Sequence, residues 1–447
     1  VRTVELPCHV ASVGSVVCVA AETTGRAQGP ASVGCATDVY RRASRERSLT
    51  LYVGLSTEQE ALRQELRSYF AELLTPEVKE QLRTSGGIGP HLRRVWKQMC
   101  TDGWSGIGWP KEYGGQERTA IEQFIFFDES MRAGAPVPAL TINTVGPTIM
   151  RFGTDAQKEY FLPKILAGDI HFAIGYSEPE AGTDLANLKT RADLDGDELV
   201  VNGQKLWTSL ASDADWCWLA VRTNQEAKKH KGISLVLMPL KDEHGNRTPG
   251  IEVQPIDLLG EHDINAVFYN DVRIPASNVV LGIDQGWSLI TNQLNHERVS
   301  LISSGSLEAM MQSVLDWARD TRMADGSRVI DREWVQMNFA RVKANVEYLK
   351  LLNWKVAWTA TEDILQVADA SAIKIHGTEF GMTAIRLLTE IMGEAGYLPH
   401  GSPGAVVAGR LEHAYRSMVI LTFGGGVNEV QRDLISIFGL GMPRSMR

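Results

Sequence analysis

The spacing of apolar side chains changes twice along this chain. From about Leu55 onward, Leu62, Leu66, Phe70 and Leu73 recur at three- and four-residue intervals. That spacing places them on one face of a helix. Ser56 or Thr57 is expected as its N-cap, with Glu60 three residues after Thr57 to complete a capping box. Further helical patterns run through His91–Cys100, Ala120–Ala133, Pro147–Phe152 and Asp155–Leu166, interrupted by Trp109-Pro110 and Tyr113-Gly114-Gly115. Near His171 the period shortens. Glu198–Trp207, Trp216–Arg222, Ile233–Leu237, Ile251–Ile256 and Ala266–Ile274 are short, rich in β-branched and aromatic residues, and bounded by Gly, Asn, Asp or Pro. Strands spaced this way, without intervening helices, predict a compact antiparallel β-domain. From Gln285 the helical period returns in Trp287–Arg319, Arg332–Thr361, Leu365–Gly393, Pro403–Leu421 and Val427–Ile437, enough for a bundle.

The expected class is α+β, mainly α, in the order α, β, α. Residues 1–48 read as a disordered extension, 49–170 as an N-terminal helical domain, 171–284 as a β-barrel domain and 285–447 as a C-terminal helical bundle. In the extension, Val10–Ala21 is a short apolar run behind Arg2, but Glu5 and His9 dilute the basic front that a signal peptide carries. The rest of it, to Ser48, is rich in Gly, Ser, Ala and Arg and has no amphipathic period.

Composition narrows the function. With 44% hydrophobic and 22% charged residues over 447 positions, the chain has an ordinary globular balance. Its formal charge of −9, with basic residues scattered, excludes nucleic acid as the main partner, which would need a basic face. No run reaches the ~18–20 apolar residues of a membrane span. Five cysteines without paired spacing form neither a disulfide framework nor a zinc site, which suits a cytoplasmic location.

Motifs for P-loop, zincin and serine-hydrolase chemistry are absent. Phe423-Gly424-Gly425-Gly426 precedes a helix and could cradle a phosphate, but a tight helix connection explains it equally well. Glu297 shares a stripe with Ile290, Leu294 and Leu301, so its carboxylate points with the apolar side chains. Such a carboxylate is either a structural ion-pair member or, with its pKa raised by burial, a general base. The β-domain opens with Phe172–Asp184, where the hydroxyls of Ser177 and Thr183 lie among small residues. Downstream, Asn202–Ser209 is a turn and a strand ending in Trp207, Thr208 and Ser209. An aromatic plane flanked by hydrogen-bonding groups suits a flat, polar-edged cofactor; a hairpin with a half-buried Trp is the plain alternative.

Both stretches resemble the flavin-binding signatures of the acyl-CoA dehydrogenase family. So do Trp109–Gly115, Gly153–Lys158 with Leu162-Pro163, and Val272–Pro275, all in that family's order over roughly residues 50–447. The resemblance implies an N-terminal helical domain, a central β-barrel, a C-terminal four-helix bundle, FAD as cofactor, and α,β-desaturation of acyl-CoA thioesters. By motif position it implies that Tyr176, Ser177, Gly182, Thr183, Trp207, Thr208 and Ser209 form the cofactor site. Tyr176 and Ser177 would contact the isoalloxazine ring, Thr183 a polar part of FAD or substrate, while Trp207 would shield the flavin and Ser209 bond near its N5.

Departures from the family pattern matter as much. Most members carry a glutamate base in a loop before the last helix, where this chain has Gly425; a minority place it on the first bundle helix, where Glu297 stands. Glu429 is the second candidate. Two FAD-contacting motifs of the bundle are altered, to Arg322–Gly326 without its Phe, and to Glu390–Gly396 without its Gln and with Glu394 for a Gly. A glutamate facing a pyrophosphate is electrostatically unfavourable. With Leu294–Arg298 and Thr422–Asp433, the chain is most similar to bacterial acyl-CoA dehydrogenases of steroid side-chain degradation, which resemble α2β2 assemblies of unlike subunits. The resemblance thus implies a bulky, steroid-type CoA thioester substrate, an unlike partner subunit and a soluble electron-transfer carrier. A non-catalytic assembly subunit and a same-fold flavin oxidase or monooxygenase are the alternatives.

Overall fold

The computed structural model describes residues 54–85, 88–260, 264–291, 302–361 and 366–444; the extension expected over 1–48 and the candidate base Glu297 lie outside them. Helix α1 (Thr57–Leu73) begins at Ser56, whose hydroxyl accepts from the Gln59 amide while the Gln59 side chain accepts from Ser56 N. The box expected on Thr57 and Glu60 is thus shifted by one residue, and Glu60 instead accepts from Arg63 and Gln64. Helices α2 (Pro76–Ser85), α3 (Pro90–Thr101), α4 (Ala120–Ala133), α5 (Gly146–Phe152) and α6 (Asp155–Leu166) follow. Thr119 with Glu122 and Thr154 with Gln157 cap α4 and α6, fixing where each helix starts. Leu66, Phe70, Trp96, Met99, Ile125 and Phe126 fill the core among these helices.

The central unit is a curled seven-stranded sheet of β1 (Phe172–Gly175), β2 (Arg191–Asp195), β3 (Glu198–Ser209), β4 (Trp216–Arg222), β5 (Ile233–Pro239), β6 (Ile251–Pro255) and β7 (Ile264–Pro275). The strand order is β1-β4-β2-β3-β7-β6, and β5 pairs along β4. Most ladders are antiparallel, as expected, but β1 and β2 each run parallel to β4. Strands β1 and β2 were not apparent as strands in the sequence: β1 is short, and β2 reads Arg-Ala-Asp-Leu-Asp with one buried residue. On β4, Trp218 and Ala220 join the core shared with the N-terminal helices, while Cys217, Leu219 and Val221 enter the sheet's other core. Burial on both faces is why β4 and β5 read as continuous apolar runs rather than alternating ones.

The bundle departs most from expectation. Residues 286–291 are helical, but Ile302 and Ser303 are not, so the single helix expected over Trp287–Arg319 is two. The second, α7 (Ser304–Asp320), is followed by α8 (Glu333–Thr361), α9 (Val367–Met392), α10 (Arg410–Ser417) and α11 (Asn428–Leu434). The helix expected over Pro403–Leu421 is shortened to α10, flanked by 3-10 turns. The break before α7 has a tertiary cause. Asp128 of α4 accepts at Oδ1 from Ser303 Oγ (2.7 Å), Ser304 Oγ (3.1 Å) and Gly305 N (3.0 Å), supplying from another helix the cap that α7 needs. Gly305 permits the approach, since a Cβ there would lie 2.2 Å from the Asp128 carbonyl oxygen.

A line of charges extends this contact. Arg67 of α1 donates twice to Glu129 of α4 (2.9 and 2.8 Å). Arg132, one turn along α4, pairs with Glu308 of α7, which also accepts from Lys350 of α8 (2.8 Å). Burial pushes the Glu308 carboxyl up, but Lys350 and Arg132 outweigh it and bring its pKa from 4.5 to about 2. A lowered carboxylate pKa gives stability that is complete above the ordinary value and lost as pH falls through the folded one. Glu308→Gln should therefore lower stability at neutral pH by about 1.5–3 kcal/mol. In thermal melts, the gap between the variant and the parent should close as pH falls from about 4.5 toward about 2.

Candidate active site

The two motifs singled out from sequence meet in space. Leu206 N donates to the Ser177 carbonyl (2.8 Å), and Lys205 Nζ donates to the Tyr176 carbonyl (3.1 Å). The turn after β1 is thereby held against β3 immediately before Trp207. Lys205 Nζ also donates to Glu178 Oε1 (2.7 Å), and both side chains are buried. The Glu178 carboxylate is completed by the backbone amides of Lys189 (2.6 Å) and Thr190 (2.9 Å). Burial alone would raise the Glu178 pKa; Lys205 and the hydrogen bonds from residues 189 and 190 outweigh it and hold the group ionised, below the usual carboxylate range. Tyr176 is also buried, its hydroxyl accepting from Trp218 Nε1 (3.1 Å).

Strand β3 carries an irregularity where the candidate chemistry lies. Lys205 pairs with Val267 and Thr208 with Asn265, so three steps on β3 match two on β7. The extra residue makes a β-bulge and shifts the inside–outside alternation. Trp207 takes φ +64 and its indole is 53% exposed. A tryptophan in left-handed backbone is strained and persists only when its surroundings over-determine it. The anchor is Asn265, fully buried, whose Nδ2 donates to the Thr208 carbonyl (3.1 Å) and whose Oδ1 accepts from Ser212 Oγ (2.7 Å). Ser209 is exposed like Trp207, whereas Thr208 is buried between them with its hydroxyl unpartnered among the described residues. The structure therefore groups Tyr176, Ser177, Trp207 and Ser209, and turns Thr208 into the sheet.

Gly182 and Thr183 are exposed on the turn that follows Glu178 and Ala181, two residues that exchange backbone hydrogen bonds (2.9 and 3.1 Å). A Cβ on Gly182 would meet nothing within 4 Å, so the space over this turn is open. An exposed indole, an exposed hydroxyl two residues on and an open turn fit one end of a flavin.

A cavity of about 320 Å³ opens between α4 and the bundle, lined by Phe124, Phe127, Ile142, Ile302, Asn353 and Ala357 among others. Thr141, next to Ile142 on a π-helical turn, accepts from Phe172 N (3.1 Å). The cavity wall is thus tied to the strand that leads into Tyr176. The glycine loop before α11 turns its carbonyls inward: Lys374 Nζ donates to Thr422 O (2.9 Å), Gly426 O (2.7 Å) and Asn428 Oδ1 (2.6 Å). This is the helix connection rather than a phosphate cradle. Glu429 is exposed in the first turn of α11.

Sequence inspection missed Glu178, Lys205, Asn265 and Asn353. Lys205 left a trace, as a lysine inside a strand otherwise buried on that face, but its partner lies 27 residues away on a turn.

A helical domain, a curled sheet presenting an exposed indole, and a helical bundle define a class of flavoprotein oxidoreductases. Models of the acyl-CoA dehydrogenase N-terminal, middle and C-terminal domains match residues 56–169, 173–272 and 284–438. The chain belongs to the acyl-CoA dehydrogenase family. It is 52% identical over 404 residues to acyl-CoA dehydrogenase FadE26 of Mycobacterium tuberculosis, covering 88% of this chain and 100% of that protein. Its fold matches the ChsE4–ChsE5 complex from Mycobacterium tuberculosis with a TM-score of 0.81 at 52% identity, over 88% of this chain and 100% of that one. The Tcur3481–Tcur3483 steroid ACAD matches at 0.81 and 48% identity, over 88% and 100%. No helix among the described residues is long and apolar enough to cross a membrane.

Breaking the buried pair tests what holds the site together. Lys205→Met leaves the Glu178 carboxylate in the interior without its cation and should cost about 3–5 kcal/mol. Adding Glu178→Gln, which removes the charge but keeps an oxygen to accept from the backbone amides of residues 189 and 190, should recover part of that loss, as read by denaturant titration of both variants.

Proposed function

We propose that this chain is the catalytic subunit of a heteromeric, FAD-dependent acyl-CoA dehydrogenase that desaturates a bulky, steroid side-chain CoA thioester in the cytoplasm. The observation that carries this reading is the junction of Tyr176–Ser177 with β3 just before Trp207, taken with a mostly apolar cavity between α4 and the bundle that is large enough for part of an acyl group. The relatives' names, a steroid ACAD among them, point the same way. Ser177, Gly182, Thr183, Trp207 and Ser209 would hold one end of FAD. Thr208 supports the bulge from inside. When bound, FAD supplies the acceptor for the hydride leaving the acyl β-carbon. Glu297 takes the α-proton, and the cavity holds the acyl group so that proximity rather than collision sets the rate. A soluble electron carrier reoxidises the enzyme.

Glu297→Gln keeps the shape of the side chain and removes its basicity. It should preserve flavin and substrate binding while slowing flavin reduction by at least ~10²–10⁴-fold. Undiminished turnover would favour a non-catalytic subunit; loss in Glu429→Gln instead would move the base to α11.

The altered bundle motifs support an unlike partner. Arg322 Nη1 donates to the Gly326 carbonyl of its own turn (2.8 Å), and Asp325 stands beside it, paired with Arg332. Glu394 is exposed just past α9. None of these favours a neighbour's pyrophosphate. On α8, Trp334, Met337, Tyr348, Leu351 and Trp358 are exposed along one helical face, an apolar surface suited to a partner. The chain made alone should then be flavin-poor, and co-production with its partner should restore about one flavin per pair of unlike chains. The ratio of flavin to protein absorbance, with native mass measurement, checks this; a homotetramer with one flavin per chain would contradict it.

A further inference from the structure

Helix α8 packs on α4, α7 and α9 through a stripe that includes Val342, Val346, Leu349, Val356 and Ala357. Asn353 falls on this stripe. It is 3% exposed, it lines the cavity between α4 and the bundle, and its Nδ2 is buried with no hydrogen-bond partner among the described residues. Two other polar side chains of that wall are better served: Ser105 donates to the Leu166 carbonyl (2.7 Å), and Ser303 donates to Asp128 (2.7 Å). An amide left unpaired in the interior destabilises the fold, and Leu would occupy the position without that penalty. Such an exception to an apolar stripe points to a ligand that completes it.

Resting on the desaturase reading above, we infer that Asn353 is a specificity residue that hydrogen-bonds an oxygen on the acyl group, a ketone or hydroxyl remote from the thioester. A primary amide serves either kind. Its NH2 donates to a carbonyl oxygen, and a hydroxyl both accepts from the NH2 and donates to the amide oxygen. Elsewhere on the wall, Phe124, Phe127, Ile142, Ile302 and Ala357 are apolar and take the hydrocarbon. The chemical class of substrate is therefore an oxygenated hydrophobic acyl-CoA rather than a plain fatty acyl-CoA. A site built to pair a substrate oxygen rejects the analogue lacking it more strongly than an apolar pocket rejects an added methylene, because its own polar group is then stranded.

The test uses the flavin-loaded complex with its partner and matched pairs of CoA thioesters, ω-(4-oxocyclohexyl)alkanoyl-CoA and ω-cyclohexylalkanoyl-CoA, over a series of spacer lengths. At the best spacer the oxo member should be preferred by roughly 10–100-fold in kcat/KM. Asn353→Leu should abolish that preference, slowing the oxo member and speeding the cyclohexyl member, which no longer strands an amide, with Tm preserved or raised. Equal kcat/KM for the two members in the parent enzyme at every spacer would overturn the inference. So would equal losses for both members in Asn353→Leu together with a lower Tm, which marks a structural side chain. If neither member of any pair bleaches the flavin of the parent enzyme, the desaturase reading itself falls, a result distinct from turnover without preference.

Discussion

The buried Lys205–Glu178 pair is the constraint on which the site depends. A lysine and a glutamate removed from water must find each other and then satisfy their remaining hydrogen-bonding capacity, because neither is tolerated alone in the interior. Here that requirement is met by one geometry. Lys205 reaches both the Glu178 carboxylate and the Tyr176 carbonyl, and the carboxylate takes two amides from the segment leading into β2. Three stretches distant in sequence are fixed to one another, and the strand enters its bulge at Trp207 with no freedom left to slide. The strained indole follows from that fixation. Register in a strand is otherwise set by alternation, and a bulge held by a polar pair and by Asn265 turns Trp207 and Ser209 outward, where simple alternation from the buried Lys205 would turn both inward.

A second polar device joins the helical parts. Asp128 caps a helix that belongs to a different region of the chain, and the charges from Arg67 to Lys350 continue the seam across α1, α4, α7 and α8. Both lie along the contact that walls the cavity. Fixing α4 against α7 by side chains that accept and donate in defined directions gives that wall a shape apolar packing alone would leave adjustable. The unpaired Asn353 differs from Ser105, Asp128 and Ser303 of the same wall, which have partners within the protein.

The family's usual features are distributed unevenly here. The sheet end carries an exposed indole and an open glycine turn, while in the bundle Arg322 donates to its own loop and Lys374 gathers the carbonyls of the glycine loop. The outer face of α8 keeps large apolar side chains, Trp334, Tyr348 and Trp358 among them.

The sequence alone determined the succession of elements. Helical and strand periods depend on neighbours three, four or two residues apart, so Ala120–Ala133, Asp155–Leu166 and Trp216–Arg222 could be read to the residue. It also singled out Trp207 and Ser209 as candidates, because an indole and a hydroxyl at a strand end stand out in any local window. Tertiary structure decided whatever a distant partner supplies. The helix expected over Trp287–Arg319 breaks before Ser304 because Asp128, 175 residues earlier than Ser303, offers it a cap. Thr208 turns inward because β7 is one residue shorter across the bulge. Lys205 and Asn353 acquire meaning only through what surrounds them, a carboxylate on another turn in one case and a cavity wall in the other. Local pattern reports the cost of placing a polar group inside; the folded chain determines which group, if any, offsets it.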